Sequence, residues 1–212
     1  TNVFQFTDPD AKTGQGTYDS NDLKANKRIN GTSLTLSFSG NTITDSAGTF
    51  NNANVGDYIV VTGANNEANN GTHKITTVTS STVIVVDTNL TTESNTASCK
   101  IQQNIKGAQG LSLLGDTNSA TGTLAVGDYL GVLSGTLTSN QPVQLVLVTE
   151  VSVETSGTPN KYSVGIEPKL RQDLADNQLV KFNNAKGLFR LIENDVNWSA
   201  NSTSVYQISF SC

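Results

Sequence analysis

The chain has 212 residues, which fits one large β domain or two small ones. Hydrophobic residues make up 35% and charged residues 15%, with Thr, Asn and Ser filling the difference, so several thin cores are expected rather than one thick one. The net charge of −5, with no basic stripe interleaved with aromatics, argues against a nucleic-acid surface, and the lack of an 18-residue apolar run argues against a membrane-spanning helix.

In chain order, residues 1–7 (TNVFQFT) read as a short strand. Residues 8–33 are polar and Gly- and Asp-rich without a sustained period, so a long connector is expected. The densest basic stretch, KANKR at 24–28, falls inside it. From Leu34 the pattern alternates: LTLSF is a strand, Ser39-Gly40 a tight turn, and NTITDS a second strand. VGDYIVV follows, then a turn-rich loop in which Asn70-Gly71 suits a sharp reversal, then HKITTVTS, STVIVVDT and ASCKIQQ as separate strands.

The order then repeats. VGDY at 55–58 recurs at 126–129, and each copy continues through a polar loop, a strand with "VT", a turn and an apolar strand. PVQLVLVTEVSVET reads as a long strand or a bent pair, YSVGIEP as its return. The motif is explained by a strand-starting corner: Gly56 and Gly127 take a positive φ or make a tight entry, Asp57 and Asp128 cap the turn on a nearby N–H, and Tyr58 and Tyr129 open the new strand. A ligand or catalytic role for either Asp is the weaker alternative.

PKLRQDLADNQ (168–178) places Leu170 and Leu174 four apart, but its shortness favours a single turn over a helix. The tail reads as two or three antiparallel strands, with Phe189, Trp198 and Tyr206 as candidates for core or subunit contact. The expected fold is therefore all-β, with little or no helix and two internally duplicated barrel or sandwich modules. The expected divisions are a strand and connector at 1–30, an inserted module at 31–104 and a C-terminal module at 105–212.

The search for chemistry finds no catalytic set. His73 is the single histidine, has no Gly-x-Ser-x-Gly elbow beside it, and is expected on the surface. His73 with Cys99 and Cys212 makes no convincing zinc set, and both cysteines are expected as reduced thiols. Asp8-Pro-Asp10 lacks the rest of a calcium loop. Glu150 and Glu154 are candidates for a glycosidase pair that nothing distinguishes from surface acids. Neither a catalytic residue nor a cofactor or metal is assigned.

FTDPDAKTGQGT, KGAQGLSLLGD, GTLAVGDYLGV, YSVGIEPKLRQDLADNQLVKFNNAKGLFRLIEN and NWSANSTSVYQISFS together resemble the C-terminal part of a family of distal-tail or minor-tail proteins of siphovirus-like phages. The resemblance covers about residues 1–20 and 105–212. Residues 31–104 depart from it and look like a β module found in many phage virion proteins. Thr1 is no initiator, which suits a processed chain or the continuation of a longer one. The resemblance implies a ring-forming, non-enzymatic tail component, assembled in the host cytoplasm and resident in the virion. Its partners would be copies of itself and other tail proteins, with a host-surface receptor as a further candidate. The alternatives are a carbohydrate-binding or adhesion module of a phage or bacterial surface protein, and a capsid decoration protein.

Overall fold

The computed structural model describes residues 3–7, 22–115, 124–133, 142–155, 159–183, 185–190, 197–200 and 206–209. The chain is all-β in these parts. Its strands are β1 (Val3–Thr7), β2 (Asp22–Ala25), β3 (Asn30–Asp45), β4 (Tyr58–Thr62), β5 (Gly71–Ser80), β6 (Val83–Gln102), β7 (Gly110–Leu114), β8 (Tyr129–Leu133), β9 (Pro142–Glu154), β10 (Lys161–Glu167), β11 (Leu179–Asn183), β12 (Ala185–Arg190), β13 (Asn197–Ala200) and β14 (Tyr206–Ser209). The one helical element among the described residues is a 3₁₀ turn at Glu67–Asn69, and none is long and apolar enough to cross a membrane.

Residues 1–13 and 184–212 form one compact unit and 14–183 the other. In the smaller unit β1 pairs with β12, Phe4 opposite Phe189, and β13 pairs with β14, Trp198 opposite Ile208 and Ala200 opposite Tyr206. The side chains of Phe189, Trp198 and Tyr206 lie outside the described residues, as does Cys212 and with it the question of a bridge.

The larger unit holds two modules. The second is a closed antiparallel barrel in the order β10-β7-β2-β11-β8-β9. Its interior is filled by Leu111, Leu113, Leu130, Val132, Val146, Val148, Val164 and Val180, each at most 1% exposed. Alternation along each strand delivers these residues to one side, as a half-buried sheet requires. The first module orders its strands β3-β6-β4-β5, and β5 also pairs with β6, so β4, β5 and β6 close on themselves around Phe38, Phe50, Ile43, Ile59, Ile75, Ile84 and Ile101.

The two modules repeat each other in register. Ile75 pairs with Val86, Thr77 with Val85 and Val78 with Ile84, with a bulge after Ile75. In the barrel, Val148 pairs with Ile166, Glu150 with Gly165 and Val151 with Val164, with the same bulge. Thr42, Ile43 and Thr44 oppose Val85, Ile84 and Val83, as Gly110, Leu111 and Ser112 oppose Gly165, Val164 and Ser163. Val61 meets Ile101, which meets Gly31; Val132 meets Val180, which meets Leu23. The long β3–β6 ribbon thus does with continuous strands what β2/β11 and β7/β10 do as separate pairs. The whole first module lies in sequence between β2 and β7, which are themselves neighbours in the barrel, Lys24 opposite Leu114.

Three local expectations are corrected. Residues 22–25 are a barrel strand rather than connector, because Leu23 and Ala25 fill the core at 3% and 1% exposure. Ser39-Gly40 is no tight turn: β3 runs through it, and Gly40, at φ +56°, sits where the register with β6 shifts. STVIVVDT and ASCKIQQ join into one 20-residue strand, because the polar stretch between them still pairs with β3, Phe38 opposite Glu93 and Leu36 opposite Thr96, with Asn95 and Ser98 at positive φ absorbing the irregularity. Residues 168–178 form no helix. Leu170 and Leu174 are buried in the barrel core, and the Gln144 side chain fixes the segment by donating to Lys169 O and accepting from Arg171 N.

Candidate functional site

The two VGDY corners are built by the same hydrogen bonds. Gly56 N donates to Ile75 O (2.8 Å) and Ile75 N to Asp57 O (2.8 Å); Gly127 N donates to Val148 O (2.9 Å) and Val148 N to Asp128 O (2.8 Å). Asp57 Oδ2 accepts from Asn54 N at 3.0 Å, and Asp128 Oδ2 from Ala125 N at 2.6 Å. Gly56 and Gly127 stand at φ +92° and +97°, a region that costs any side chain strain. Tyr58 and Tyr129 begin β4 and β8.

The surroundings of the corners differ. The first is pressed against the barrel. Asp57 is fully buried and accepts from Arg28 Nε (3.2 Å), Arg28 Nη2 and Ser163 Oγ. Arg28 donates further to Ser163 Oγ (2.8 Å), Tyr162 O (3.3 Å) and Leu113 O (3.4 Å), so its guanidinium sews the entry to β3, the first corner and strands β7 and β10 together. A fork of N–H donors matches a carboxylate in this bidentate way. Val60 of β4 completes the joint by contributing to the barrel's core cluster.

Beside the joint, Tyr58 lies over the paired glycines Gly110 and Gly165; a Cβ on Gly110 would overlap its ring. Its hydroxyl donates to Glu150 Oε2 at 2.7 Å, and Lys74 Nζ donates to Glu150 Oε1. The Lys74 hydrogen bond, then that of Tyr58, holds the Glu150 carboxyl below its ordinary range. Burial, then the Glu150 carboxylate, pushes the Tyr58 phenol well up. Of the three groups, Tyr58 borders an open cleft of ≈ 590 Å³ that Gln109, Thr149, Glu167 and Lys169 also line. Here the acid and the base neutralise each other, and Tyr58 stays protonated.

This network sets a pH dependence. With its folded pKa depressed, Glu150 contributes stability above the ordinary carboxylate pKa of about 4.3 and loses it as pH falls through the folded value. Its side chain is 45% exposed and that of Lys74 26%, so water screens the pair. Glu150→Gln is expected to cost no more than about 1 kcal/mol at pH 7, with the gap to the parent closing under acid, as urea titrations at a series of pH values would record.

Among the other sequence candidates, Glu154 is paired with Lys161 at 3.4 Å, so both acids considered as a glycosidase pair are engaged by lysines. His73 is corrected from surface to interior: it is 3% exposed on β5, with Nε2 3.0 Å from Asn69 O. Cys99 is a buried free thiol donating to Gly63 O and Thr96 O, its pKa raised by burial first and by Glu93 second. Among the described residues no group of three or more His, Cys, Asp or Glu could hold a metal ion. Arg28 and Ser163, which complete the joint, were not singled out by the sequence. In the sequence Arg28 belongs to a polar stretch, and its one signal is its place ahead of the first alternating strand.

Compared with family models, curated proteins and solved structures, the chain finds no match.

Proposed function

We propose that this chain is a non-enzymatic structural component of a bacteriophage tail, a distal-tail or minor-tail subunit that works as one of a ring of copies. In this reading the barrel belongs to the body of the ring, and the first module, at 30–102, projects towards the host surface or neighbouring tail proteins. The resemblance of residues 1–20 and 105–212 to such tail proteins supports it. The observation that carries it is the Arg28–Asp57–Ser163 joint. One barrel-like unit is used twice, and buried charge holds the two modules as a rigid block instead of facing a substrate, as a load-transmitting particle component requires. The Lys74–Glu150–Tyr58 network has the same character, acid and base being engaged with each other.

The test is the particle itself. Virions purified by density gradient are expected to contain this chain in a fixed copy number, and immunogold labelling is expected to mark the tail tip. Absence from washed virions, or label on the capsid, would sink the tail reading; the latter would favour a decoration protein.

A further inference from the structure

The bulge that both modules share is used differently in each. In the first module Thr76 is the extra residue, between Ile75 and Thr77, and its hydroxyl donates to Val85 O (3.2 Å), back onto its own sheet. In the barrel the extra residue is Thr149, between Val148 and Glu150, the partners of Ile166 and Gly165. A bulge re-aims a side chain in this way. Thr149 is exposed, and its hydroxyl stands over Gly165: a Cβ there would lie 2.8 Å from Thr149 Oγ1 and 2.9 Å from the Tyr58 hydroxyl oxygen. Two hydroxyls thus converge above a residue without a side chain, on the wall of the ≈ 590 Å³ cleft. Around them Gln109 supplies an amide, Glu167 a carboxylate and Lys169 an ammonium, all exposed, while Pro168 and the half-buried Tyr58 ring supply apolar surface. Among the described residues, the side chains of Thr149, Gln109, Glu167 and Lys169 take no hydrogen bond or ion pair, in contrast to Glu150 nearby, which Lys74 and Tyr58 hold. The Tyr58 proton is committed to Glu150, but its oxygen can still accept.

We propose that this cleft is a binding site for a neutral sugar ring of a glycan. Its volume lies within the ~300–1,000 Å³ of small-ligand sites. The donor set is mixed: the Gln109 amide and the Thr149 hydroxyl both donate and accept, Glu167 accepts and Lys169 donates. Every sugar hydroxyl also donates and accepts, so a polyol can satisfy each of these groups at once. An anionic ligand would meet the Glu167 carboxylate and a cationic one the Lys169 ammonium, whereas for a neutral ring the two charges balance. Pro168 and the Tyr58 ring offer apolar surface to the C–H face of a pyranose. The cleft is open, so the far side of the ring stays in water, as a unit within a longer glycan requires. The inference comes from the cleft and does not depend on the tail reading, so the virion test and the one below can fail separately.

The test is titration of the full chain, followed by its amide chemical shifts, with the methyl glycosides of glucose, galactose, mannose and N-acetylglucosamine, and with glucose 6-phosphate as the charged comparison. At least one neutral glycoside is expected to give saturable shifts centred on the amides of Gln109, Thr149 and Lys169. Glucose 6-phosphate is expected to bind no more tightly than the methyl glucoside. Thr149→Val and Glu167→Gln, both at exposed side chains, are each expected to weaken the binding about tenfold, as the loss of one hydrogen bond to the ligand does. Amide shifts unchanged away from the cleft show that each variant is folded. Thr76→Val, the same change at the matching bulge of the first module, is expected to leave binding as it is. The proposal is overturned by no saturable shifts with any of the neutral glycosides, by shifts centred elsewhere, or by tighter binding of the phosphate. Binding that survives Thr149→Val and Glu167→Gln unchanged, or that Thr76→Val weakens equally, overturns it as well.

Discussion

Replacing Arg28 by Ala is expected to lower the unfolding free energy by about 3–5 kcal/mol, the cost of leaving one partner of a buried ion pair uncompensated. The Arg28 and Asp57 side chains are 3% and 0% exposed. Without the guanidinium, the Asp57 carboxylate keeps Ser163 Oγ and Asn54 N, two hydrogen bonds but no countercharge. Arg28→Lys restores charge but not the fork that meets both carboxylate oxygens while reaching Leu113 O and Tyr162 O, so it should recover only part of the loss. The double variant Arg28→Ala with Asp57→Ala should be less damaging than the two single losses added, because the stranded charge is gone. Urea unfolding of the parent, the two Arg28 variants, Asp57→Ala and the double variant measures all of this. A loss under about 1 kcal/mol for Arg28→Ala would mean that the pair is solvated and the modules are not locked by it.

The sequence carried the duplication plainly, because the corner needs a Gly for its φ, an Asp for its cap and an apolar strand after it, and these needs are local. The all-β class was equally legible from alternation. What connects one module to the other was not. Arg28 reads like any Arg in a polar stretch, and only folding brings it to Asp57 and to Ser163, the latter 135 positions on. Continuity of β6 was hidden because Thr, Ser and Asn between 91 and 98 suit a loop, yet their backbone pairs with β3 all the same. β2 was hidden because its four residues make a strand only against β7 and β11, which lie more than eighty positions away in sequence. Tyr58 was expected merely to open a strand. Its partners Lys74 and Glu150 come from β5 and β9, so the network needs both modules in place before it exists.

Gly56→Ala and Gly127→Ala are expected to differ in cost, although the two glycines have the same role in the same motif. Both stand at φ near +95°, and an Ala there carries backbone strain of about 1–3 kcal/mol in either corner. At Gly127 the added methyl meets open space. At Gly56 it would come within 2.7 Å of Ser152 Cβ and 2.9 Å of its Oγ, and the Cβ belongs to the rigid part of the side chain on a strand paired to β10. Relieving that overlap means either shifting β9 or lifting the first corner off the barrel, which would stretch the Arg28–Asp57–Ser163 bonds. Overpacking of this kind adds about 1–3 kcal/mol. Gly56→Ala should therefore be the more damaging by that amount in urea unfolding. Ser152→Gly in the Gly56→Ala background should return most of the difference, since it removes the atoms in the way, whereas the same Ser152→Gly should do nothing for Gly127→Ala. Equal costs for the two glycine variants would mean that the first corner is as open as the second. A joint of that kind could not hold the modules as one block, and the rigid coupling on which the proposed tail role rests would have to be abandoned.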